Sequence, residues 1–282
     1  MGQETGRNPG ARASPSPAAG SAPIPDAALA DTHVHLQAPA FAADLDAVLD
    51  RARAAGVRRF LCAGYDLPSS RDAVDLAGRH PDVLAAVGVH PHDAKTYDDA
   101  VEADLDFWLV SRQAEVAGEM GLDYHYDHSP RDVQREVLRR QLRLARRHAR
   151  PVILHNRDSD ADMARILEEE AAGLRAVLHA FTGAPALVDL GRRLGLFFGI
   201  GGFLTFRNHP LAGCVLDLPL DSLLLETDAP YLSPHPLRGR RNEPANVPLV
   251  AARLAELLGT TAADVATRTS ANFARFLGEA SP

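Results

Sequence analysis

The sequence predicts an α/β fold, a single (β/α)8 barrel of the TIM type, on three observations. The chain has 282 residues, enough for one large barrel or two ordinary domains. Short apolar runs alternate with amphipathic segments over most of that length, as repeated strand–helix units do. No Gly-x-Gly-x-x-Gly follows the first run, so the competing architecture, an open doubly wound sheet, lacks its usual support.

The strands are expected at "ALADTHVHL" (28–36), "VRRFLCAG" (57–64), "VLAAVGVH" (83–90), "AEVAGEMG" (114–121), "PVILHN" (151–156), "AVLHAF" (176–181), "LFFGIGG" (196–202) and "SLLLETDA" (222–229). Between them the helical period appears at 44–55, 70–79, 99–112, 131–148, 159–171 and 185–194, many of these segments begun by Asp, Ser or Pro. The stretch 203–221 is less regular, and helices near 246–258 and 262–277 close the chain. Residues 1–26 contain "SPSPAAGSAPIP", which buries too little apolar surface to order itself. They are expected to be a dispensable tail before one domain at 27–282.

Composition narrows the function. The formal net charge is -7, which argues against nonspecific grip on a nucleic-acid backbone, although two bound divalent cations would offset roughly half of it. Lys95 is the only lysine, so phosphate contacts fall to the planar guanidinium groups of arginines. Cys62 and Cys214 lack a CxxC partner, so neither a disulfide framework nor a thiolate metal site is expected. That suits a reducing cytoplasm. No apolar run reaches the length of a membrane span. A monomer is favoured.

The ionisable residues fall at the carboxyl ends of the expected strands: His33 and His35 on the first, His90 on the third, Glu119 on the fourth, His155 on the fifth, His179 on the sixth, Glu226 and Asp228 on the eighth. Any one of them alone reads as a hydrogen-bonded or solvated polar residue. In a barrel those ends meet on one face, so the set converges into a metal site. Imidazoles and carboxylates without thiolate suit Zn²⁺ or Mn²⁺, and Mg²⁺ is accepted by the carboxylates and water. This many donors exceeds what one catalytic ion uses, so two ions are expected. Two ions need a bridging anion. Lys95 lies in the wrong loop to be a carboxylated lysine, and Glu119 takes that role.

Taken in order, "DTHVHL", "GVHPHD", "GEMGLDYH", "PVILHNRD", "LHAFTG", "LLLETDAPYL" and "RGRRNEPANV" resemble the TatD family of metal-dependent hydrolases, from about residue 28 to 277. The resemblance implies an amidohydrolase-like TIM-barrel fold and a divalent-metal-dependent deoxyribonuclease acting from the 3′ end of DNA or an oligonucleotide. By motif, His33, His35, Glu119, His155, His179 and Asp228 match the family's metal ligands. His90, Arg157 and Glu226 match positions kept near its substrate. Ala180 replaces the usual cysteine, Met120 replaces an isoleucine, and residues 1–26 have no counterpart.

A divalent ion can bring the pKa of its water toward about 7, which supplies hydroxide for attack on phosphorus. Asp228 is expected to orient that nucleophile and accept its proton, Arg157 to hold phosphoryl oxygens, and His90 to meet the phosphate or the leaving oxygen. Arg238, Arg240 and Arg241 either line the phosphate approach or form a solvated loop, and Arg157 has a salt bridge to Asp158 as its alternative. Two other functions compete: an amidohydrolase attacking a carbonyl carbon, and a non-catalytic metal-stabilised scaffold that binds nucleic acid.

Overall fold

The computed structural model describes residues 28–279, and the expected tail lies outside them. Eight strands pair in parallel and in chain order: β1 (Leu29–Val34), β2 (Val57–Ala63), β3 (Val83–Val87), β4 (Val116–Asp123), β5 (Val152–Arg157), β6 (Ala176–Leu178), β7 (Phe197–Ile200) and β8 (Leu223–Leu225). The ring closes just past β8, where Val34 and Ala229 form a parallel bridge. There the Asp228 N–H donates to the His33 carbonyl at 2.9 Å and the His35 N–H to the Ala229 carbonyl at 2.8 Å. The closure that completes the barrel therefore joins three proposed site residues directly.

Helices α1 (Leu45–Ala54), α2 (Leu67–Arg79), α3 (Asp99–Val110), α4 (Arg131–Arg147), α5 (Asp160–Glu170) and α6 (Pro185–Leu194) cover the outside in alternation with the strands. Their starts are local chemistry. Asp66 accepts from the Ser69 N–H in a capping box ahead of α2, and Asp98 accepts from the Ala100 and Val101 N–H groups ahead of α3. The irregular stretch 203–221 resolves into a 3-10 turn at Gly202–Thr205, a single turn α7 (Leu211–Cys214) and a 3-10 turn at Leu220–Ser222. Helices α8 (Val247–Leu258) and α9 (Ala262–Leu277) follow.

Two hydrophobic layers hold the barrel. The large one lies between strands and helices. The smaller one fills the interior with a side chain from every strand, Ala30, Leu61, Ala86, Val116, Ile153, Val177, Phe197 and Leu224 among them, and Phe273 and Phe276 of α9 pack against it. The polar residues of the mouth lie above this apolar floor, at the carboxyl end. Among the described residues no helix is long and apolar enough to cross a membrane.

Candidate metal centre

Two irregular strands deliver the donors. On β1, Ala30 belongs to the interior layer, so strict alternation would send Val34 inward as well. A register shift between Asp31 and Val34 reverses this: Val34 and Leu36 pack outside, and His33 and His35 turn to the mouth. On β4, Val116 is interior, and a shift between Ala117 and Met120 puts Met120 and Leu122 in the outer layer and Glu119 and Asp123 at the mouth. Bulges commonly re-aim side chains beside active sites in this way. β5 keeps its alternation, and His155 follows Ile153 inward. Gly121 (φ +156°) lies so close to the His155 carbonyl that a Cβ there would collide with it, so glycine allows β4 and β5 to meet beside the site.

The donor atoms gather around Glu119, which is buried. Its Oε2 lies 3.4 Å from His33 Nε2 and 3.8 Å from His35 Nε2. Asp228 Oδ1 completes that side, 3.7 Å from His33 Nε2 and 3.3 Å from His35 Nε2. Glu119 Oε1 faces a different group: His179 Nε2 at 2.9 Å, His155 Nδ1 at 3.0 Å and His90 Nε2 at 3.6 Å. Three sets of potential ligands each close within 4.8 Å: His33–His35–Glu119 and His90–Glu119–His155, which share that one carboxylate, and His33–His179–Asp228, which links the two sides.

The outer nitrogens set which atoms are free to ligate. His35 Nδ1 donates to the Ala63 carbonyl at 2.8 Å, which leaves the Nε2 lone pair pointing inward. His155 Nε2 lies 3.2 Å from Asp123 Oδ2, which leaves Nδ1 as its inner atom. His179 Nδ1 faces Glu226 Oε1 at 3.6 Å, too far for a hydrogen bond, and His33 Nδ1 is also buried without a partner among the described residues. Bare imidazole nitrogens 3.3 Å apart, as in His33 and His35, satisfy one another poorly and satisfy a shared divalent cation well. The donor set therefore fits metal ions.

Electrostatics agree. Burial opposes the charge on Glu119, but His179, His33 and His90 outweigh it and hold the carboxyl well below the usual range. Burial likewise works against protonation of His179, yet Glu119 and Glu226 raise its pKa well above that of an ordinary histidine. His90 moves the other way, pushed well down by burial and by His155 beside it. Asp31, beneath the site, is raised to about 8 by burial despite hydrogen bonds from Thr227.

The donors open into a cavity of about 1220 Å³ lined by His35, His90, Glu119, His155, His179 and Asp228, with Arg157, Arg238 and Arg240 at its rim. Arg157 does not pair with Asp158, which bonds His125 instead. Its guanidinium lies over the Tyr126 ring, 4.8 Å from the centroid. Two expectations need correction. Arg241 does not line the cavity, because Asp44, Glu243 and the Ala40 carbonyl take up its donors. Glu226 is 1 % exposed and sits behind His179, accepting the Ala180 N–H at 2.6 Å, so it does not reach the cavity wall. Sequence reasoning missed Asp123, which accepts from the His125 and Tyr126 N–H groups and meets both His155 and His92. Its spacing of four from Glu119 on one strand was the available signal.

The family model for TatD related DNase matches residues 30–278. The uncharacterized metal-dependent hydrolase YabD of Bacillus subtilis is 40 % identical over 253 residues, covering 88 % of this chain and 98 % of that protein. The 3′-5′ ssDNA/RNA exonuclease TatD of Cronobacter sakazakii is 38 % identical over 260 residues, covering 89 % and 99 %. Among solved structures, the TatD homologue YjjV of Escherichia coli superposes with a TM-score of 0.85 at 31 % identity, covering 89 % of this chain and 98 % of that one. With a chain-ordered parallel barrel and a His- and carboxylate-rich mouth, this chain belongs to the TatD family of metal-dependent hydrolases.

Proposed function

We propose that the chain is a two-metal phosphodiesterase that removes nucleotides from the 3′ end of DNA. The observation that carries this reading is the placement of the two Glu119 oxygens, each facing its own group of donors, under a cavity rimmed by arginines. His33, His35 and Asp228 would hold one ion, His155 and His179 the other, and Glu119 would bridge them. Mg²⁺, Mn²⁺ or Zn²⁺ bound there supplies charge for phosphoryl oxygens and an acidified water. Asp228, on the cavity wall, would orient the attacking water and take its proton. His90, kept neutral by burial, offers a hydrogen bond to the phosphate or the departing oxygen. Arg157 and Arg240 bring fixed positive charge to a polyanion that the acidic body would otherwise repel.

The test is turnover by the metal-reconstituted enzyme on 5′- and 3′-labelled single strands, beside lactones and cyclic amides. Progressive shortening from the 3′ end is the expected result. Turnover confined to the carbonyl substrates would replace this reading with that of an amidohydrolase. Glu119→Gln should keep the fold, lower the bound metal from two ions toward one and reduce kcat at least about 100-fold, the scale on which one electrostatic group is felt.

A further inference from the structure

Each half of the donor cluster has an arginine placed over an aromatic ring beside it. On the β4–β5 side, Arg157 Cζ lies 4.8 Å from the centroid of Tyr126, an exposed ring that also lies parallel to His128 at 5.5 Å. This column touches the cluster through His92, 5.4 Å from Tyr126 and sharing Asp123 with His155. On the β7–β8 side, Arg238 Cζ lies 4.1 Å from the centroid of Phe206, which in turn packs on Phe203. Phe206 lies in the segment after β7 and Arg238 in the segment after β8, the strand that leads to Asp228. All four residues line the same cavity, and neither arginine pairs with a carboxylate among the described residues.

A guanidinium placed over one face of a ring has a second face on which any nucleobase can stack. Its N–H edge remains free for phosphate. The cavity exceeds the roughly 300–1,000 Å³ of small-molecule sites, which leaves room for several linked nucleotides. Resting on the phosphodiesterase reading above, we propose that Tyr126–Arg157 and Phe206–Arg238 are two nucleobase-stacking subsites, one on each side of the scissile phosphate. Stacking on a face reads no base edge, so these subsites select an unpaired strand without selecting its sequence.

The experiment measures KM on single strands that are intact or carry one abasic residue on either side of the cleaved bond, for the metal-loaded full chain and for Tyr126→Ala, Arg157→Lys, Phe206→Ala and Arg238→Lys. Each substitution should raise KM for the intact strand about tenfold and add little to the penalty of the abasic residue on its own side, because both remove the same stack. Lysine keeps the charge and loses the plane, so it should not rescue. Full rescue by lysine, or substitution and abasic penalties that simply multiply, would overturn the proposal. Wild-type hydrolysis of bis(4-nitrophenyl) phosphate separates the two claims. If it proceeds while the coupling is absent, only the stacking subsites fail. If neither ester nor strand is hydrolysed, the phosphodiesterase reading falls and takes the subsites with it.

Discussion

Asp123 ties a proposed ligand, His155, to the outer wall of the site. It is 1 % exposed, and one of its oxygens accepts two backbone N–H groups while the other meets His155 and His92 at 3.2 and 3.0 Å. Burial works against its charge, but the His155 hydrogen bond and those from the backbone hold its carboxyl far below the usual range. Such a carboxylate fixes the ring and makes its inner nitrogen more basic. Asp123→Asn keeps the size and the backbone hydrogen bonds. It should weaken Mn²⁺ or Zn²⁺ binding by about 10–100-fold in a calorimetric titration, with the barrel still folded by circular dichroism. Unchanged affinity would mean that His155 is oriented by packing alone. A similar constraint acts at Gly199, where a Cβ would occupy the space of the Glu226 carboxylate.

Elements are joined by charge as well as by packing. Between α1 and the segment that follows β8, Arg241 donates to Asp44 at 2.7 Å and to Glu243 at 2.8 Å, and Arg51 meets Glu243 at 2.8 Å and Asp44 at 3.2 Å. This network is where a residue expected at the substrate is in fact used. The Arg241 hydrogen bond, with Arg51 beside it, brings the Asp44 pKa down to about 2. A carboxyl depressed in the folded state adds stability above its unfolded pKa of about 3.9 and loses it as pH falls through the folded value. Arg241→Ala should therefore lower Tm by a few degrees at pH 7, and the gap to wild type should narrow between about pH 4 and pH 2. A gap that does not change with pH would assign the loss to packing over Phe41, whose ring lies 5.0 Å from the Arg241 Cζ.

At the scale of the molecule, the donors come from strands on all sides of the barrel, so bound ions would cross-link its carboxyl end. A ligand at a hundred times its dissociation constant stabilises the native state by about 2.7 kcal/mol. Chelation should lower Tm and Mn²⁺ or Zn²⁺ should restore it. The sign of the pH dependence follows from His179, which Glu119 and Glu226 keep protonated above the ordinary histidine range in the metal-free protein. Metal must expel that proton, so the Tm gain on adding metal should be larger at pH 8 than at pH 6. An equal gain at both values would place the ions away from His179.

The order of strands and helices, the barrel class and the identity of the polar residues near the mouth were legible in the sequence, because apolar periodicity and strand-end position are local properties of the chain. The floor of Ala, Val and Leu with His and carboxylates above it follows from the same pattern. What only the tertiary structure decided was direction and partnership. Alternation counted from Ala30 or Val116 sends His33, His35 and Glu119 to the wrong face, and two register shifts reverse it. Arg241 and Arg240 are neighbours in one basic run, yet one is spent on α1 and the other reaches the cavity. Glu226 and Asp228 are two apart, yet one stands behind a histidine and the other on the wall. Which way a side chain points and which charge it meets are set by other segments of the chain, the neighbouring strand for the two register shifts and one nearly two hundred residues away for Arg241 with Asp44, and no local pattern encodes those contacts.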